Sequence, residues 1–217
     1  MDFYDILKQS RLISIIRGVD SPEQLELALE AVYAGGIRLA EITFDSTGKR
    51  SDDITAEWIG KAVRTMEGKM LIGAGTVLNA NQVELTKRAG GGFIISPDMN
   101  PDVIRKTKEE GLISIPAAMT VSEIIAADRF GADYIKIFPA NAVGGSDFFR
   151  AIAGPLPGLR LLAVSGVTPD NAEEYLKAGA YGFGIGSGIV NASLCKDGDY
   201  KSIEQNARRF FCACAGK

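Results

Sequence analysis

Short apolar runs alternate with longer amphipathic stretches along the whole chain. The short runs predict buried strands, whereas apolar residues that recur every three or four positions predict helices that cover a core with one face. Eight strands are predicted, at Leu12–Arg17, Leu39–Phe44, Met70–Thr76, Phe93–Ser96, Ile113–Pro116, Tyr134–Phe138, Leu161–Ser165 and Gly182–Gly186. A first helix at about Phe3–Gln9 precedes them, and further helices are predicted at Pro22–Tyr33, Ile54–Met66, Asn81–Ala89, Pro101–Glu109, Val121–Phe130, Phe148–Ala153, Pro169–Ala178 and Tyr200–Cys212.

Local signals support the predicted helix boundaries. Ser21-Pro22, Asn100-Pro101 and Thr168-Pro169 each place a capping side chain before a proline at the first helical position. Several predicted helices end on a glycine, which adopts the left-handed conformation that closes a helix, at Ala34-Gly35-Gly36, Ala89-Gly90, Glu110-Gly111 and Ala178-Gly179.

Eight strand–helix units with short connections predict a parallel sheet, and the count of eight predicts a closed (β/α)8 barrel, the TIM barrel, with an extra N-terminal helix. A doubly wound sheet ranks second, because such sheets usually stop at about five or six strands. The 217 residues are near the short end for a (β/α)8 barrel. We therefore expect one barrel domain over residues 1–217, without an inserted domain.

Composition and charge narrow the classes of partner. Hydrophobic residues make up 46% and charged residues 24% of the chain, as in an ordinary globular protein. No apolar run reaches the roughly 18 residues that span a bilayer, and the N-terminus MDFYDILKQS lacks the pattern of a secretory signal. The net charge of −3 disfavours nucleic acid or an anionic membrane as the main partner.

Cysteine and histidine usage restricts the available chemistry. Cys195, Cys212 and Cys214 all lie near the C-terminus, and their odd number favours a reducing cytoplasm. Cys212 and Cys214 have no second pair to complete a metal site, so packing is the favoured interpretation. The chain has no histidine, which excludes Ser-His-Asp and Cys-His catalysis and histidine-ligated zinc. We expect no metal, and an enzyme with this sequence must use lysine, carboxylates, hydroxyls and backbone amides.

Active sites of such barrels lie at the carboxyl ends of the strands. The polar residues predicted there are Arg17, Glu41, Thr43, Thr76, Ser96, Lys136, Ser165 and Ser187. Of the twelve lysines, only Lys136 lies inside an apolar strand. Since Ile135 and Ile137 should face the helices, Lys136 should point into the barrel. Burial there would lower its pKa toward about 7–8 and leave a nucleophilic amine.

Glu41 and Arg17 add to this site. The alternation Ala40-Glu41-Ile42 turns Glu41 inward, and an amine with a carboxylate is the minimum equipment for Schiff-base chemistry with proton transfer. Arg17 follows the first strand, where it can bind a substrate carboxylate. The alternative is a structural Lys136–Glu41 ion pair, although buried pairs seldom repay their desolvation.

A phosphate site is predicted in the loops after the seventh and eighth strands. Ser165-Gly166-Val167-Thr168-Pro169 follows the seventh strand, and Gly184-Ile185-Gly186-Ser187-Gly188 ends the eighth. Barrels often bind phosphate in these two loops, where small residues expose backbone amides. Glycine required only for tight turns is the alternative interpretation.

These residues carry a resemblance that extends over nearly the whole chain, from Ile15-Ile16-Arg17-Gly18 to Gly186-Ser187. Its most specific motifs are Glu41-Ile42-Thr43, Gly73-Ala74-Gly75-Thr76-Val77-Leu78, Ile95-Ser96-Pro97 and Lys136-Ile137-Phe138-Pro139-Ala140. The chain resembles the bacterial 2-keto-3-deoxy-6-phosphogluconate (KDPG) and 2-keto-4-hydroxyglutarate (KHG) aldolases, which are class I, Schiff-base aldolases on a (β/α)8 barrel.

The resemblance implies a reversible cleavage of a 2-keto-3-deoxy-6-phospho sugar acid, or of KHG, to pyruvate and an aldehyde. It implies that Lys136 forms the Schiff base and that Glu41 is the general acid/base. Arg17 and Thr76 would hold the pyruvyl carboxylate, Pro97 and Phe138 would shape the pocket, and phosphate would be bound by Ser165, Gly166, Gly186 and Ser187. It further implies a homotrimer without cofactors.

Two features depart from the family pattern in ways that bear on the substrate. The family's Pro-Gly-x-x-Thr-Pro stretch is Pro116-Ala117-Ala118-Met119-Thr120-Val121 in this chain. The family often has an arginine two residues after its Glu-x-Thr motif, where this chain has Asp45. We expect Asp45 to repel an anionic substrate unless it points away or Lys49 or Arg50 supplies a positive charge.

Two other functions remain open on the residues alone. A phosphosugar isomerase or epimerase would use Glu41 as a base without an imine. A non-catalytic barrel that binds a phosphorylated metabolite would use Lys136 only as an ionic contact. Both predict that pyruvate forms no covalent adduct with the protein.

Overall fold

The computed structural model describes residues 2–215, so Met1 and the last two residues of the predicted domain lie outside the described part of the chain. The strands there are β1 Leu12–Ile16, β2 Leu39–Thr43, β3 Leu71–Gly75, β4 Phe93–Ile95, β5 Ile113–Ile115, β6 Ala117–Ala118, β7 Ile135–Ile137, β8 Leu161–Val164 and β9 Gly182–Ile185. The α-helices are α1 Phe3–Ser10, α2 Pro22–Ala34, α3 Asp52–Thr65, α4 Ala80–Arg88, α5 Pro101–Glu109, α6 Val121–Arg129, α7 Ser146–Ala153, α8 Ala172–Lys177, α9 Ala192–Lys196 and α10 Tyr200–Cys214, with a 3₁₀ turn at Ala140–Val143.

The strands form one parallel sheet in the order β5-β4-β3-β2-β1-β9-β8-β7-β6. Its two edge strands are halves of a single run that Pro116 interrupts, because proline has no N–H to donate to a ladder. β5 pairs with β4 and β6 pairs with β7, so the chain itself joins the edges into a nearly closed barrel. The predicted (β/α)8 barrel with an extra N-terminal helix is confirmed, and the doubly wound alternative is wrong.

Strand alternation separates two apolar cores. Ala40, Ile42, Ile135 and Ile137 belong to the outer core between the strands and the helices. The smaller inner core contains Phe3, Leu7, Ile13, Leu39, Phe93, Ile95, Ile115, Tyr134 and Leu162. By the same alternation, the side chains of Glu41 and Lys136 point to the inner side of the strands.

Helix α1 contributes to the inner core. Its apolar face inserts Phe3 and Leu7 into the inner core, and the Tyr4 hydroxyl donates a hydrogen bond of 2.9 Å to Asp133. Asp133 also accepts a bond of 2.8 Å from the backbone N–H of Ser114, which ties the helix to the amino-terminal end of the barrel. The extra helix thus closes that end, and the carboxyl ends of the strands remain for a site.

The predicted helix starts are confirmed at two of the three Pro-containing sites. Ser21 and Asn100 cap α2 and α5 through their side chains, each before a proline at the start of the helix. The third prediction is wrong, because α8 begins at Ala172 rather than at Pro169. Thr168 and Asn171 instead bond to each other reciprocally, Thr168 N–H to Asn171 Oδ1 and Asn171 N–H to Thr168 Oγ1, and hold a turn.

The predicted strands reach about one residue too far at their carboxyl ends. Arg17, Thr76 and Ser165 follow the last residues of β1, β3 and β8. Thr76 and Ser165 have φ of 56° and 79°, in the left-handed region, so the extended backbone stops there. Helix α9 and the 3₁₀ turn were not predicted, since neither is long enough to show a helical period.

In the described part of the chain, no helix has the length and apolar composition for a membrane crossing.

Candidate active site

Lys136 lies at the centre of β7 and is almost completely buried, with 6% of its surface exposed. The isoleucines on either side of it pack against the helices, so its side chain enters the barrel as the alternation predicts. Burial lowers the pKa of its amine, Glu41 opposes this by attraction, and Arg17 lowers the pKa further by repulsion. A larger neutral fraction of the amine follows, and the neutral form is the nucleophile.

Glu41 lies at the centre of β2, in register with Ile15 of β1 and Gly73 of β3. Only 1% of its surface is exposed, and its Oε2 has no hydrogen-bond partner among residues 2–215. Burial raises its pKa to about 7, although Lys136 and Arg17 lower it by attraction. A carboxyl group with this pKa can both accept and donate a proton near neutral pH.

Lys136 and Glu41 do not form the structural ion pair that the sequence left open. The ion pairs among the described residues do not include them, and the Glu41 Oε2 has no hydrogen-bond partner there. The Lys136 Nζ lies 4.6 Å from the centroid of the Phe138 ring instead. Two buried ionisable groups that influence each other without a direct bond are costly for stability, and such groups concentrate at functional sites.

Gly75, the last residue of β3, makes room for the Glu41 carboxylate. A Cβ on this glycine would overlap the Glu41 carboxylate atoms. Gly75 is thus a residue of the site whose role the sequence reasoning missed, because glycine in a strand has no signal that distinguishes close approach from a bend.

We expect Gly75→Ala to displace the Glu41 carboxylate and to lower kcat by roughly 10²-fold, since a displacement of about 1 Å at a reacting group has this effect. The matched control is Gly154→Ala, because Gly154 has an ordinary φ of −69° and no atom near the position of an added Cβ. Steady-state kinetics of both variants measure the difference. Equal activity of the two variants would contradict the role assigned to Gly75.

Arg17 and Thr76 meet across the mouth of the barrel. Arg17 Nη2 donates a hydrogen bond of 3.0 Å to Thr76 Oγ1, although the two residues directly follow β1 and β3, which are separated by β2. Thr76 keeps a left-handed backbone despite its β-branched side chain, a strain of about 1–3 kcal/mol. Strained residues of this kind cluster at functional sites, and here the strain places a hydroxyl next to the guanidinium.

The loops after β8 and β9 lie side by side, because these strands pair along Leu162–Val164 and Gly182–Gly184. Ser165 and Gly166 form one loop, with consecutive left-handed φ values of 79° and 77°. Gly186 and Ser187 form the other and directly follow β9. The structure therefore brings together all four residues that the sequence predicted to bind phosphate, at the same barrel end as Lys136.

Pro97 and Phe138 lie in the loops after β4 and β7 at the same end of the barrel. Phe138 is partly exposed, with its ring beside the Lys136 amine, and Pro97 is half-buried after the buried Ser96. All ten predicted site residues thus lie on β2 and β7 or in the loops that follow the strands at their carboxyl ends.

Asp45 is engaged within its own loop. Its carboxylate accepts hydrogen bonds from the backbone N–H and hydroxyl of Thr47, at 2.8 and 2.7 Å, and from the backbone N–H of Arg50 at 2.7 Å. These bonds lower its pKa to about 2. The Arg50 guanidinium donates a hydrogen bond to the Thr43 carbonyl and stacks on the Trp58 ring. Its positive charge therefore interacts with groups next to its own loop. Asp45 therefore organises the loop after β2 and turns its carboxylate toward the loop backbone.

The fold and the site together define a class of protein: a (β/α)8 barrel with a buried lysine and a buried carboxylate at the carboxyl ends of its strands, which is equipment for Schiff-base chemistry. The family model described as KDPG and KHG aldolase matches residues 3–206. The chain belongs to this aldolase family, and with it to the carbon–carbon lyases.

Individual relatives agree with this assignment. The chain is 32% identical over 212 residues to the 2-dehydro-3-deoxy-phosphogluconate aldolase of Pseudoalteromonas atlantica, covering 98% of this chain and 95% of that protein. It is 33% identical over 202 residues to the 2-dehydro-3-deoxy-6-phosphogalactonate aldolase of Escherichia coli, covering 91% and 90%. A solved KDPG aldolase from Legionella pneumophila, with pyruvate captured as a covalent carbinolamine, superposes with a TM-score of 0.84 at 27% identity over 97% of both chains.

Proposed function

We propose that this protein reversibly cleaves a 2-keto-3-deoxy-6-phospho sugar acid, or KHG, to pyruvate and an aldehyde through a Schiff base on Lys136. The observation that carries the proposal is the buried Lys136 amine inside the barrel, together with a buried Glu41 carboxylate whose Oε2 has no hydrogen-bond partner among residues 2–215. The covalent pyruvate adduct in the Legionella relative supports the same chemistry for this chain.

The first step uses the nucleophilicity of Lys136. Its neutral amine attacks the C2 ketone to give a carbinolamine. Uptake of one proton by the carbinolamine and loss of water then give a protonated imine, and the later hydrolysis returns that proton. The positive imine nitrogen accepts the electron pair of the C3–C4 bond when that bond breaks. The lowered pKa of Lys136 favours the neutral amine that the attack requires.

Glu41 moves the protons of the later steps. Its carboxylate accepts the proton of the C4 hydroxyl as the C3–C4 bond breaks and the aldehyde leaves. The remaining enamine then takes a proton at C3 from the protonated Glu41, and water hydrolyses the imine to release pyruvate. A pKa of about 7 suits a group that must act as base and then as acid.

The other predicted residues bind the substrate. Arg17, held by Thr76, lies where it can orient the pyruvyl carboxylate so that the ketone approaches Lys136. Pro97 and Phe138 form walls beside the amine. The adjacent loops with Ser165, Gly166, Gly186 and Ser187 suit a phosphate group, because small residues expose backbone amides there.

The substrate is therefore a small 2-keto acid, and the phosphate loops favour a phosphorylated one. Relatives named for the phosphogluconate and the phosphogalactonate compounds are about equally similar to this chain, so both epimers belong to the proposed substrate class. We further propose a homotrimer that acts in the cytoplasm without a metal or another cofactor, as the family resemblance implies.

Reductive trapping tests the proposal. Incubation of the wild-type protein with pyruvate and borohydride should reduce the imine to a stable secondary amine, and peptide mass spectrometry should locate a single adduct at Lys136. The Lys136→Ala variant should show none. An isomerase or a non-catalytic binding barrel would leave the protein unmodified, so the absence of an adduct would exclude the aldolase mechanism.

A further inference from the structure

A hydrogen bond connects the loop that follows the lysine strand to the predicted phosphate loop. Asn141 lies in the 3₁₀ turn Ala140–Val143, directly after β7 and the Phe138-Pro139 segment. The Ser165 hydroxyl, in the loop after β8, donates a hydrogen bond of 3.0 Å to Asn141 Oδ1. The sequence contains no signal for this contact, because it depends on a short turn that periodicity does not reveal.

Asn141 also packs closely against the next residue of the phosphate loop. A Cβ on Gly166 would overlap the Cβ of Asn141, and Gly166 has a left-handed φ of 77°. Only glycine therefore fits at position 166 while Asn141 keeps its place. The 3₁₀ turn and the phosphate loop thus contact each other through one hydrogen bond and through the close packing of the Asn141 side chain against Gly166.

A second asparagine holds the other side of the same loop. Asn171 Nδ2 donates a hydrogen bond of 2.9 Å to the Gly166 carbonyl, and Asn171 Oδ1 accepts a hydrogen bond of 2.8 Å from the Thr168 N–H. This arrangement explains why α8 begins late, since residues 168–171 form a turn that supports the loop. Ser165 and Gly166 are therefore held between Asn141 on one side and Asn171 on the other.

We propose that Asn141 is a positioning residue that sets the phosphate loop relative to Lys136. A substrate that reacts at C2 and carries its phosphate at the far end must reach both groups at once, so the distance between the two loops selects for it. Asn141 joins the loop after β7 to the loop after β8. It acts through Ser165 and does not touch the reacting atoms. This inference rests on the proposed function of the loops after β8 and β9.

The test compares a phosphorylated 2-keto-3-deoxy sugar acid with its unphosphorylated analogue in the Asn141→Ala variant. We expect KM for the phosphorylated substrate to rise about 5- to 10-fold, the effect of losing one hydrogen bond, with kcat within about twofold. KM for the unphosphorylated analogue and borohydride trapping with pyruvate should not change. The matched control is Asn191→Ala, which removes a similar exposed carboxamide that accepts from Ser193 N–H.

A double-mutant cycle shows whether Asn141 acts through Ser165. In a Ser165→Ala background, Asn141→Ala should raise KM for the phosphorylated substrate less than twofold, because the shared hydrogen bond is already absent. Full additivity of the two effects, or an equal KM change for both substrates, would overturn the proposal. If the wild type showed no preference for the phosphorylated substrate, the phosphate site itself would be wrong. A preference of unchanged size in Asn141→Ala would reject only the role of Asn141.

Discussion

Lys136→Met should abolish aldol cleavage while making the protein more stable. Loss of the amine removes the covalent step, so we expect kcat to fall by roughly 10⁴-fold or more, as when a catalytic nucleophile is deleted. Methionine has a similar length and no charge, and replacing a buried ionisable group by an apolar one relieves its desolvation. We therefore expect Tm to rise by about 2–4 °C. Coupled pyruvate detection and thermal unfolding measure the two effects.

The matched control for this variant is Lys201→Met, because Lys201 is exposed on α10, outside the barrel. It should keep wild-type kcat and Tm. Activity of Lys136→Met near the wild-type level would show that no Schiff base forms at this position. A large fall of Tm would show that the lysine stabilises the barrel, as the ion-pair interpretation requires.

Glu41→Gln should separate proton transfer from Schiff-base formation. Glutamine keeps the size of the side chain and cannot exchange a proton near neutral pH, so we expect kcat to fall by about 10²–10⁴-fold. Pyruvate should still be trapped at Lys136 by borohydride, while deuterium exchange at the pyruvate methyl group should be lost. Glu57→Gln, at an exposed position of α3, is the control and should behave as the wild type.

The raised pKa of Glu41 predicts how cleavage depends on pH. Below about pH 7 the Glu41 carboxyl is protonated and cannot accept the C4 hydroxyl proton. In the wild type, kcat/KM should therefore rise about tenfold per pH unit up to roughly pH 7. Glu41→Gln should lose the part of this rise that comes from the carboxyl group and keep only the part that comes from the Lys136 amine, whose neutral fraction also grows with pH. A variant that retained the same rise would show that another group sets the pH dependence.

Sequence periodicity was sufficient for the strands and for the direction of the side chains on them. Ile135 and Ile137 pack against the helices and Lys136 enters the barrel, because successive side chains on a strand point to opposite faces. The same rule places Glu41 inside. A buried lysine and a buried glutamate are rare enough in apolar strands for the pattern alone to identify them.

Local sequence was insufficient where the backbone departs from regular structure. The Thr168-Pro169 pair has the signal of a helix start, but α8 begins at Ala172, because Asn171 bonds to Thr168 and to the Gly166 carbonyl. Thr76 and Ser165 were predicted as strand ends and instead adopt left-handed conformations. Such conformations depend on partners from distant segments, which a single stretch of sequence does not contain.

The sequence by itself determined the eight strand–helix units, the class of barrel and the burial of Lys136 and Glu41 inside it, because alternation and burial follow from residue type and spacing. Only the tertiary structure decided that Lys136 and Glu41 form no ion pair, that Gly75 leaves space for the Glu41 carboxylate and that Asn141 holds Ser165. Each of these features joins residues from different strands or loops. Their distances are set only when the sheet closes into a barrel.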